Sequence, residues 1–224
     1  VEAYNQPGYP PGAAAILIID ADGVEADVTD TMQRLAAVVA RVGGTSLEAT
    51  DEAQRARMWS GRKAAFAAMG RIQPDMICMD GTIPRKALPE VLDGLAKLSE
   101  QYGLGCSNVF HAGDGNLHPL IVFDQTKPGE FEKAEAFGAD ILRLCVKVGG
   151  VLTGEHGVGV EKRDLMPEMF TPEELEQQGR VKCAFDPGGR YNPGKVFPML
   201  SPCIEQGHLH VHGARLPHPH LPRY

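Results

Sequence analysis

The sequence lacks any excess of positive charge, because 22 Lys and Arg residues stand against 29 Asp and Glu residues and give a formal net charge of −7. Non-specific nucleic-acid binding depends on Lys and Arg side chains that neutralise phosphates, so this balance disfavours a nucleic-acid-binding protein. The sequence also lacks an apolar run long enough to cross a bilayer. What remains is an ordinary globular composition, 43% hydrophobic and 23% charged over 224 residues, which is long enough to bury a core.

A C-x-x-C pair is missing as well. The five cysteines are scattered along the chain, at Cys78, Cys106, Cys145, Cys183 and Cys203. This spacing does not predict a disulfide framework, and reduced thiols are the simpler interpretation.

Strand-like and helix-like patterns are mixed along the chain. Short apolar runs predict strands at 13–19, 76–79, 106–112 and 117–123. Apolar residues at steps of three and four, together with caps, predict helices at 27–42, 51–69, 89–102, 130–148 and 171–185. Adjacent strands that can form a hairpin favour an α+β fold, with helices packed on a mainly antiparallel sheet.

Two histidines flank the turn of a predicted hairpin in the segment FHAGDGNLHPLIVF, residues 110–123. If Gly113 to Asn116 form a four-residue loop, His111 lies directly opposite His118 on one face of the ladder. Two imidazoles in that position can chelate one divalent ion. A surface hairpin with two polar residues at its neck fits the spacing equally well, so both interpretations stay open.

A glycine-rich segment, GGVLTGEHGVGVEKR at residues 149–163, carries a second group of polar side chains. Its glycines let the backbone approach a ligand closely, or they simply free a loop from steric limits. Glu155 and His156 stand between Gly154 and Gly157, where they can supply a metal ligand and a general base. The order of the glycines does not match the dinucleotide-binding fingerprint G-x-G-x-x-G.

The segment DPGGRYNPGKVFP at residues 186–198 matches only part of a phosphate-binding loop. Gly189, Gly194 and Lys195 fit the pattern G-x-x-x-x-G-K, but Val196 stands where a hydroxyl must reach Mg²⁺. A nucleotide-triphosphatase function is therefore rejected. Lys195 either contacts an anion or is an ordinary exposed lysine.

Arg62 lies between Trp59 and Phe66 at helical spacing, so the three side chains share one face of a predicted helix. An Arg on an apolar face must reach solvent or find an anion. A substrate carboxylate would be a suitable bidentate partner, and a nearby Glu is the alternative.

Five of the eight histidines fall in the last 17 residues, at His208, His210, His212, His218 and His220. Histidine-rich tracts can bind metal, but the prolines among them forbid regular structure. We expect an extended tail that lies on its own domain or on a partner subunit.

Taken together, NVFHAGDGNLHPLI, GGVLTGEHGVGVEKR and FDPGGRYNPGKVFP resemble the C-terminal, or cap, domain of FAD-linked 2-hydroxy-acid oxidases and dehydrogenases of the vanillyl-alcohol-oxidase type. The segments CMDGTIPRKALP and MWSGRKAAF are similar to it too, so the resemblance covers essentially the whole chain. Within the family, the tail is most similar to that of glycolate oxidase D subunits.

The resemblance implies a domain organisation. Family members carry an FAD-binding domain before this one, which makes residues 1–12 a linker from that domain. Residues 13–200 would form the substrate-binding cap domain, and residues 201–224 an extended tail. The cap would have a ferredoxin-like, mainly antiparallel sheet with helices packed on it, followed by a C-terminal helical segment.

The resemblance also assigns a metal site and a base. A divalent metal, usually zinc in the members that have one, matches His111, His118 and Glu155, and the general base matches His156. The substrate would chelate the metal through its carboxylate and hydroxyl, and His156 would take the hydroxyl proton while hydride passes from C2 to FAD.

Substrate contacts follow from the same resemblance. Arg62 would bind the substrate carboxylate, and Asn192 and Lys195 would lie near the substrate or flavin. Where hydroxyglutarate enzymes have a lysine and a further polar residue, this sequence has Cys78 and Leu120. The loss of both polar groups favours a small substrate, glycolate or D-lactate, over a dicarboxylate.

The resemblance finally implies FAD, bound mainly by the preceding domain, and partner subunits: a second flavin subunit and an iron–sulfur subunit. It places the protein in the cytoplasm, associated with the inner membrane through those subunits. The residues alone leave a different class open, a stand-alone metal- or anion-binding module with a subunit-docking tail and no redox activity.

Overall fold

A computed structural model describes residues 1–198, and the predicted tail lies outside the described residues. The chain divides into two compact units, Val1–Ile72 and a second unit that begins at Gln73. Helices and antiparallel strands are combined, so the predicted α+β class is confirmed. Within the described residues, no helix combines the length and the apolar character that crossing a membrane demands.

The first unit is helical in the described residues. It contains α1 (Glu2–Asn5), α2 (Glu25–Arg41) and α3 (Glu52–Met69), so the two long helices predicted here are confirmed. Asp51 begins α3 because its side chain accepts a 2.8 Å hydrogen bond from the Gln54 N–H. The Asn5 side chain donates to the Ser60 carbonyl of α3 at 3.1 Å, which joins α1 to α3.

The strand predicted at 13–19 is wrong. The segment is irregular, and Ile16, Leu17 and Ile19 are all exposed. An apolar run becomes a strand only where a second strand satisfies its N–H and C=O groups. No strand forms among residues 1–72, so that partner is lacking within the unit.

The second unit is built on antiparallel strands. Their bounds are β1 (Asp75–Cys78), β2 (Gly81–Thr82), β3 (Gly105–Asn108), β4 (Asn116–Leu117) and β5 (Pro119–Phe123). β5 lies between β1 and β3, while β2 pairs with β4 in a separate ladder. Every residue of β5 is buried, as expected for a central strand.

The helices of the second unit are α4 (Leu88–Tyr102), α5 (Glu130–Lys147), α6 (Met166–Met169) and α7 (Pro172–Phe185). α4 and α5 pack on the strands, α6 contacts α5, and α7 contacts α6. α4 and α5 pack on each other, with Tyr102 stacked on Phe137 at a ring-centroid distance of 5.2 Å. Phe137, Ile141 and Leu142 of α5 are buried in the core with Ile121 of β5. A complete capping box at Thr171 and Glu174 begins α7, as its sequence predicted.

Three of the five cysteines, Cys78, Cys106 and Cys145, are free thiols, in keeping with the expectation of reduced cysteines at these positions. Cys203 lies outside the described residues.

Candidate functional site

The hairpin that carries the two histidines has a loop one residue earlier than predicted, so the residue opposite His111 shifts by two. His111 pairs with Asn116, and the loop between them is Ala112 to Gly115. Gly115 adopts φ +74°, which a glycine allows without strain, and its carbonyl accepts a hydrogen bond from the Ile83 N–H at 2.9 Å. The predicted direct opposition of His111 and His118 is therefore wrong.

Because the shift is two residues, both histidines keep the same face of the ladder. Their ring centroids lie 5.4 Å apart in an edge-to-face arrangement. This is the diagonal neighbour relationship of an antiparallel pair, which long and aromatic side chains can bridge. The conclusion that the two imidazoles share a face is confirmed, although the register behind it differs.

β2 connects the glycine-rich loop to this hairpin. Thr82 pairs with Asn116 on one side and with Val151 on the other. The Val151 N–H donates to the Thr82 carbonyl at 2.8 Å, and the Thr82 N–H donates back to Val151 at 3.1 Å. The segment after Val151 consequently begins beside β2, whose other neighbour, β4, ends directly before His118.

Three side chains converge where the loop meets the hairpin. His118 Nε2 lies 2.9 Å from Glu155 Oε1, and His111 Nε2 lies 3.9 Å from the same oxygen. The nitrogen and oxygen atoms that these residues can offer to an ion all lie within 4.8 Å of one another. Two segments of the chain therefore build one cluster, which we call the His–Glu site: His111, His118 and Glu155.

The chemistry of the His–Glu site fits a divalent metal. Two imidazoles and one carboxylate are a ligand set of catalytic zinc sites, in which a fourth position stays open to water or substrate. The side chain of His118 is only 5% exposed, whereas those of His111 and Glu155 are 48% and 53% exposed. One side of the cluster is thus buried, and the other faces solvent.

His156 lies beside the His–Glu site. Its ring stacks on that of His118 at a centroid distance of 5.1 Å and an interplanar angle of 18°. Its Nε2 lies 3.9 Å from Glu155 Oε1, and its side chain is 46% exposed. A partly exposed imidazole next to a ligand set can hold or release a proton.

Asp80 holds the loop that carries Glu155 and His156. It lies two residues after the end of β1, and its side chain has no exposed surface. Its Oδ2 accepts hydrogen bonds from the N–H groups of Gly154 at 2.9 Å and His156 at 2.8 Å. The Glu155 N–H donates to both carboxylate oxygens at 3.1 Å. Three successive backbone amides thus converge on one carboxylate, the arrangement known as a nest.

Lys162 completes this arrangement from the buried side. Its Nζ lies 3.3 Å from Asp80 Oδ2 and also donates to the Asp80 carbonyl at 3.1 Å. Its remaining contact is the Thr153 hydroxyl oxygen at 3.2 Å, and the Thr153 hydroxyl in turn donates to Asp80 at 2.7 Å. The ammonium group therefore has an acceptor for each of its three hydrogens.

Burial and hydrogen bonding set the charges here in opposite directions. Burial alone raises the pKa of Asp80, but donation from Thr153 and from the His156 and Glu155 amides lowers it well below its ordinary value. Burial lowers the pKa of His118, and the attraction of Glu155 only partly offsets this. His118 is consequently neutral near pH 7, which is the form that binds metal.

The remaining predicted residues lie elsewhere in the chain. Arg62 is on α3 of the first unit and is half-buried. Asn192 and Lys195 belong to the second unit and are exposed, with Lys195 Nζ 3.4 Å from Asn192 Oδ1. The Val196 N–H donates to the Gly159 carbonyl at 2.7 Å, which ties this segment to the glycine-rich loop.

Two buried residues at the site escape prediction from the sequence. The Asp80–Gly81 step has the form of a turn, and Lys162 follows Glu161 in a polar stretch. A charged residue with no exposed surface is rare, so patterning argues against it. The one available signal is that the N–H groups of a tight glycine-rich loop need acceptors.

The comparison with known families shows which family the chain belongs to. The sequence model of the FAD linked oxidases, C-terminal domain, matches residues 1–196. The chain belongs to this family. The resemblance drawn from the three motifs is thereby confirmed.

Individual relatives agree with this. Glycolate oxidase subunit GlcD of Escherichia coli strain K12 is 53% identical over 224 residues, which is 100% of this chain and 45% of the relative. GlcD of Bacillus subtilis is 32% identical over 198 residues, 88% of this chain and 42% of the relative. The D-lactate dehydrogenase of Archaeoglobus fulgidus is 38% identical over 123 residues, 54% of this chain and 27% of the relative. The chain spans less than half the length of these relatives.

Proposed function

We propose that this chain is the substrate- and metal-binding part of an FAD-dependent oxidoreductase that converts a small 2-hydroxy acid, glycolate or D-lactate, into the 2-oxo acid. The observation that carries the proposal is the convergence of His111, His118 and Glu155 within reach of one ion, in a chain of the FAD linked oxidase family. The names of the relatives, glycolate oxidase and D-lactate dehydrogenase, support this substrate class.

His156 is the base in this proposal. When bound, a divalent ion supplies Lewis acidity at the substrate hydroxyl, and FAD supplies the hydride acceptor. His156 accepts the hydroxyl proton on a ring nitrogen as the C2 hydride leaves, so that a carbonyl forms at C2. The stacking on His118 and the bond from its backbone N–H to Asp80 restrict where this imidazole can go.

The other contacts are assigned by role. Arg62 binds the substrate carboxylate through its planar guanidinium and fixes the orientation of C2. Asn192 and Lys195 lie near the substrate or the flavin. The partners are an FAD-binding domain, a second flavin subunit and an iron–sulfur subunit, in the cytoplasm at the inner membrane.

The strand register supports a small substrate. Cys78 of β1 lies opposite Leu120 of β5, and Leu120 is two residues from His118, so the three share a sheet face. Leu120 is fully buried, and burial raises the pKa of Cys78 to about 11, so its thiol is uncharged at neutral pH. Neither residue offers a charge to a second substrate carboxylate.

Zinc content tests the metal site. The background for every variant is the full chain with the five tail histidines changed to Asn, because a histidine-rich tract can bind zinc by itself. We expect one equivalent of zinc in this protein and much less in His111→Ala, whose side chain is half exposed and contributes little to the core. Equal zinc in both would remove the three-ligand site and leave the alternative of an anion-binding module.

Flavin reduction tests the catalytic roles. In the flavin-containing holoenzyme, His156→Ala should slow flavin reduction by glycolate at saturating substrate. Arg62→Lys should chiefly raise the glycolate concentration that gives half the maximal rate of flavin reduction, because an ammonium group cannot form the bidentate contact. Near-normal flavin reduction in His156→Ala would show that another group takes the proton.

A further inference from the structure

The buried ion pair of Asp80 and Lys162 has no counterpart elsewhere in the described part of the second unit. Lys162 is 1% exposed and Asp80 has no exposed surface. A buried ion pair of this kind seldom adds stability, because the cost of removing two charges from water offsets their attraction. Its location is informative, since every acceptor of the Lys162 ammonium belongs to Asp80 or to Thr153.

The pair acts on one short segment of backbone. Asp80 accepts hydrogen bonds through Oδ1 and Oδ2 from the N–H groups of Gly154, Glu155 and His156. Two of these residues carry the carboxylate of the His–Glu site and the adjacent imidazole. The backbone from which both side chains project is thus held by bonds to a single carboxylate.

We propose that Lys162 is a positioning residue for this site: by neutralising Asp80 it keeps the carboxylate on the three loop amides, and so it sets where Glu155 and His156 lie. The inference rests on the proposed function, because it concerns the same metal and base. The Lys162 ammonium donates to Asp80 and Thr153, and so it reaches the loop through Asp80.

Charge explains why a lysine is needed. Asp80 Oδ1 lies 3.7 Å from His118 Nε2, close enough to compete with Glu155 for that imidazole or for an ion bound to it. With Lys162 present, Oδ2 carries five donors and the carboxylate stays with the loop. Without Lys162, a buried and uncompensated carboxylate would draw in water or a cation and release the loop.

The test uses the full chain with its five tail histidines changed to Asn. Its variants are Lys162→Met, Lys162→Arg and the double variant Asp80→Asn/Lys162→Met. One measurement is the zinc dissociation constant, obtained by competition with a chelator. The other is hydrogen exchange at the amides of Gly154, Glu155 and His156. Leu95→Ala, a core truncation in α4, controls for lost stability.

We expect Lys162→Met to weaken zinc binding roughly 10–100-fold, which is the typical effect of substituting a residue that holds metal ligands in place. The three amides should exchange faster in Lys162→Met. Leu95→Ala should leave zinc affinity unchanged and should not single out these three amides for faster exchange. Lys162→Arg keeps the charge and should lie nearer to the wild type. The double variant should recover part of the affinity of Lys162→Met, because Asn retains one oxygen acceptor and no charge is left unpaired.

The outcomes separate the two proposals. If the chain with only the tail histidines replaced binds no zinc, the metal site of the proposed function is wrong, and the amide exchange of the variants decides whether Lys162 positions the loop. If zinc binds and Lys162→Met behaves like Leu95→Ala in both measurements, the inference is wrong. If Lys162→Met does not fold, wild-type affinity and wild-type amide exchange in the double variant overturn the inference.

Discussion

His118 Nε2 lies 2.9 Å from Glu155 Oε1, although one residue comes from the hairpin and the other from the glycine-rich loop. A buried imidazole and a half-exposed carboxylate meet at this point, and His111 approaches the same carboxylate oxygen from the hairpin. The arrangement places a carboxylate between two imidazoles, a ligand set that suits a divalent cation.

The carboxylate should dominate ion binding. Glu155→Gln keeps the shape of the side chain but removes its charge, so zinc affinity should fall by more than the roughly 10–100-fold typical of outer partners. The measurement is competition with a chelator on the tail-histidine background. Glu161→Gln is the matched control, since Glu161 is exposed in the same loop region and should leave zinc affinity unchanged. Equal effects of the two substitutions would contradict the assignment.

The hairpin turn offers a comparison between two neighbouring glycines. Gly115 has φ +74°, and an added Cβ would collide with the Ile83 carbonyl oxygen, whereas a Cβ on Gly113 would meet nothing within 4 Å. Gly115→Ala should lower the free energy of unfolding by at least about 1–2 kcal/mol from the backbone conformation alone. It should also weaken zinc binding, because His111 and His118 flank this turn. Gly113→Ala should change both quantities little, and urea denaturation with zinc competition checks this.

Asp186 should make the free energy of unfolding depend on pH in the acid range. The hydrogen bond from Lys182, reinforced by the N–H groups of Arg190 and Tyr191, lowers the pKa of Asp186 to about 2 in the folded chain. An unfolded Asp titrates near about 3.9. The stabilisation is therefore complete above about pH 4 and is lost as the pH falls toward about 2. The difference in free energy of unfolding between the wild type and Asp186→Asn should shrink over this range, and a constant difference would contradict the prediction.

The thiols of Cys78, Cys106 and Cys145 should be unreactive in the native chain. Burial raises the pKa of Cys106 and of Cys145 to about 12, and that of Cys78 to about 11. Because the thiolate is the reactive form, alkylation by iodoacetamide at pH 8 should be slow until the chain is unfolded. Mass spectrometry with and without denaturant measures this directly. Fast native labelling of Cys78 would mean that β1 opens readily.

The sequence predicts helices better than it predicts strands in this chain. Two of the long helices carry their own start signals, the Asp51 cap of α3 and the capping box at Thr171 of α7, and these act over a few residues. The run at 13–19 has no such local determinant, since a strand depends on a partner distant in sequence. The same limit applies to the hairpin, whose register depends on Gly115 meeting Ile83 from another segment.

The site divides in the same way. His111, His118 and Glu155 stand out because their residue types are conspicuous among glycines, and the structure brings them together. Asp80 and Lys162 do not stand out, because their importance lies in being buried together, and burial of a charge is a property of the tertiary fold. Sequence patterning therefore singles out the three residues of the His–Glu site as candidates, the family resemblance joins them into one ligand set, and neither points to the buried pair.

The uneven exposure of the His–Glu site has a kinetic consequence. An ion between buried His118 and half-exposed His111 and Glu155 would be reached by water and small molecules from one side, without any opening of the core. Loading and removal would then be surface events, governed by ligand exchange at the two outer side chains rather than by unfolding. EDTA should strip the ion within the lifetime of the native state, and the stripped chain should take up zinc again without refolding.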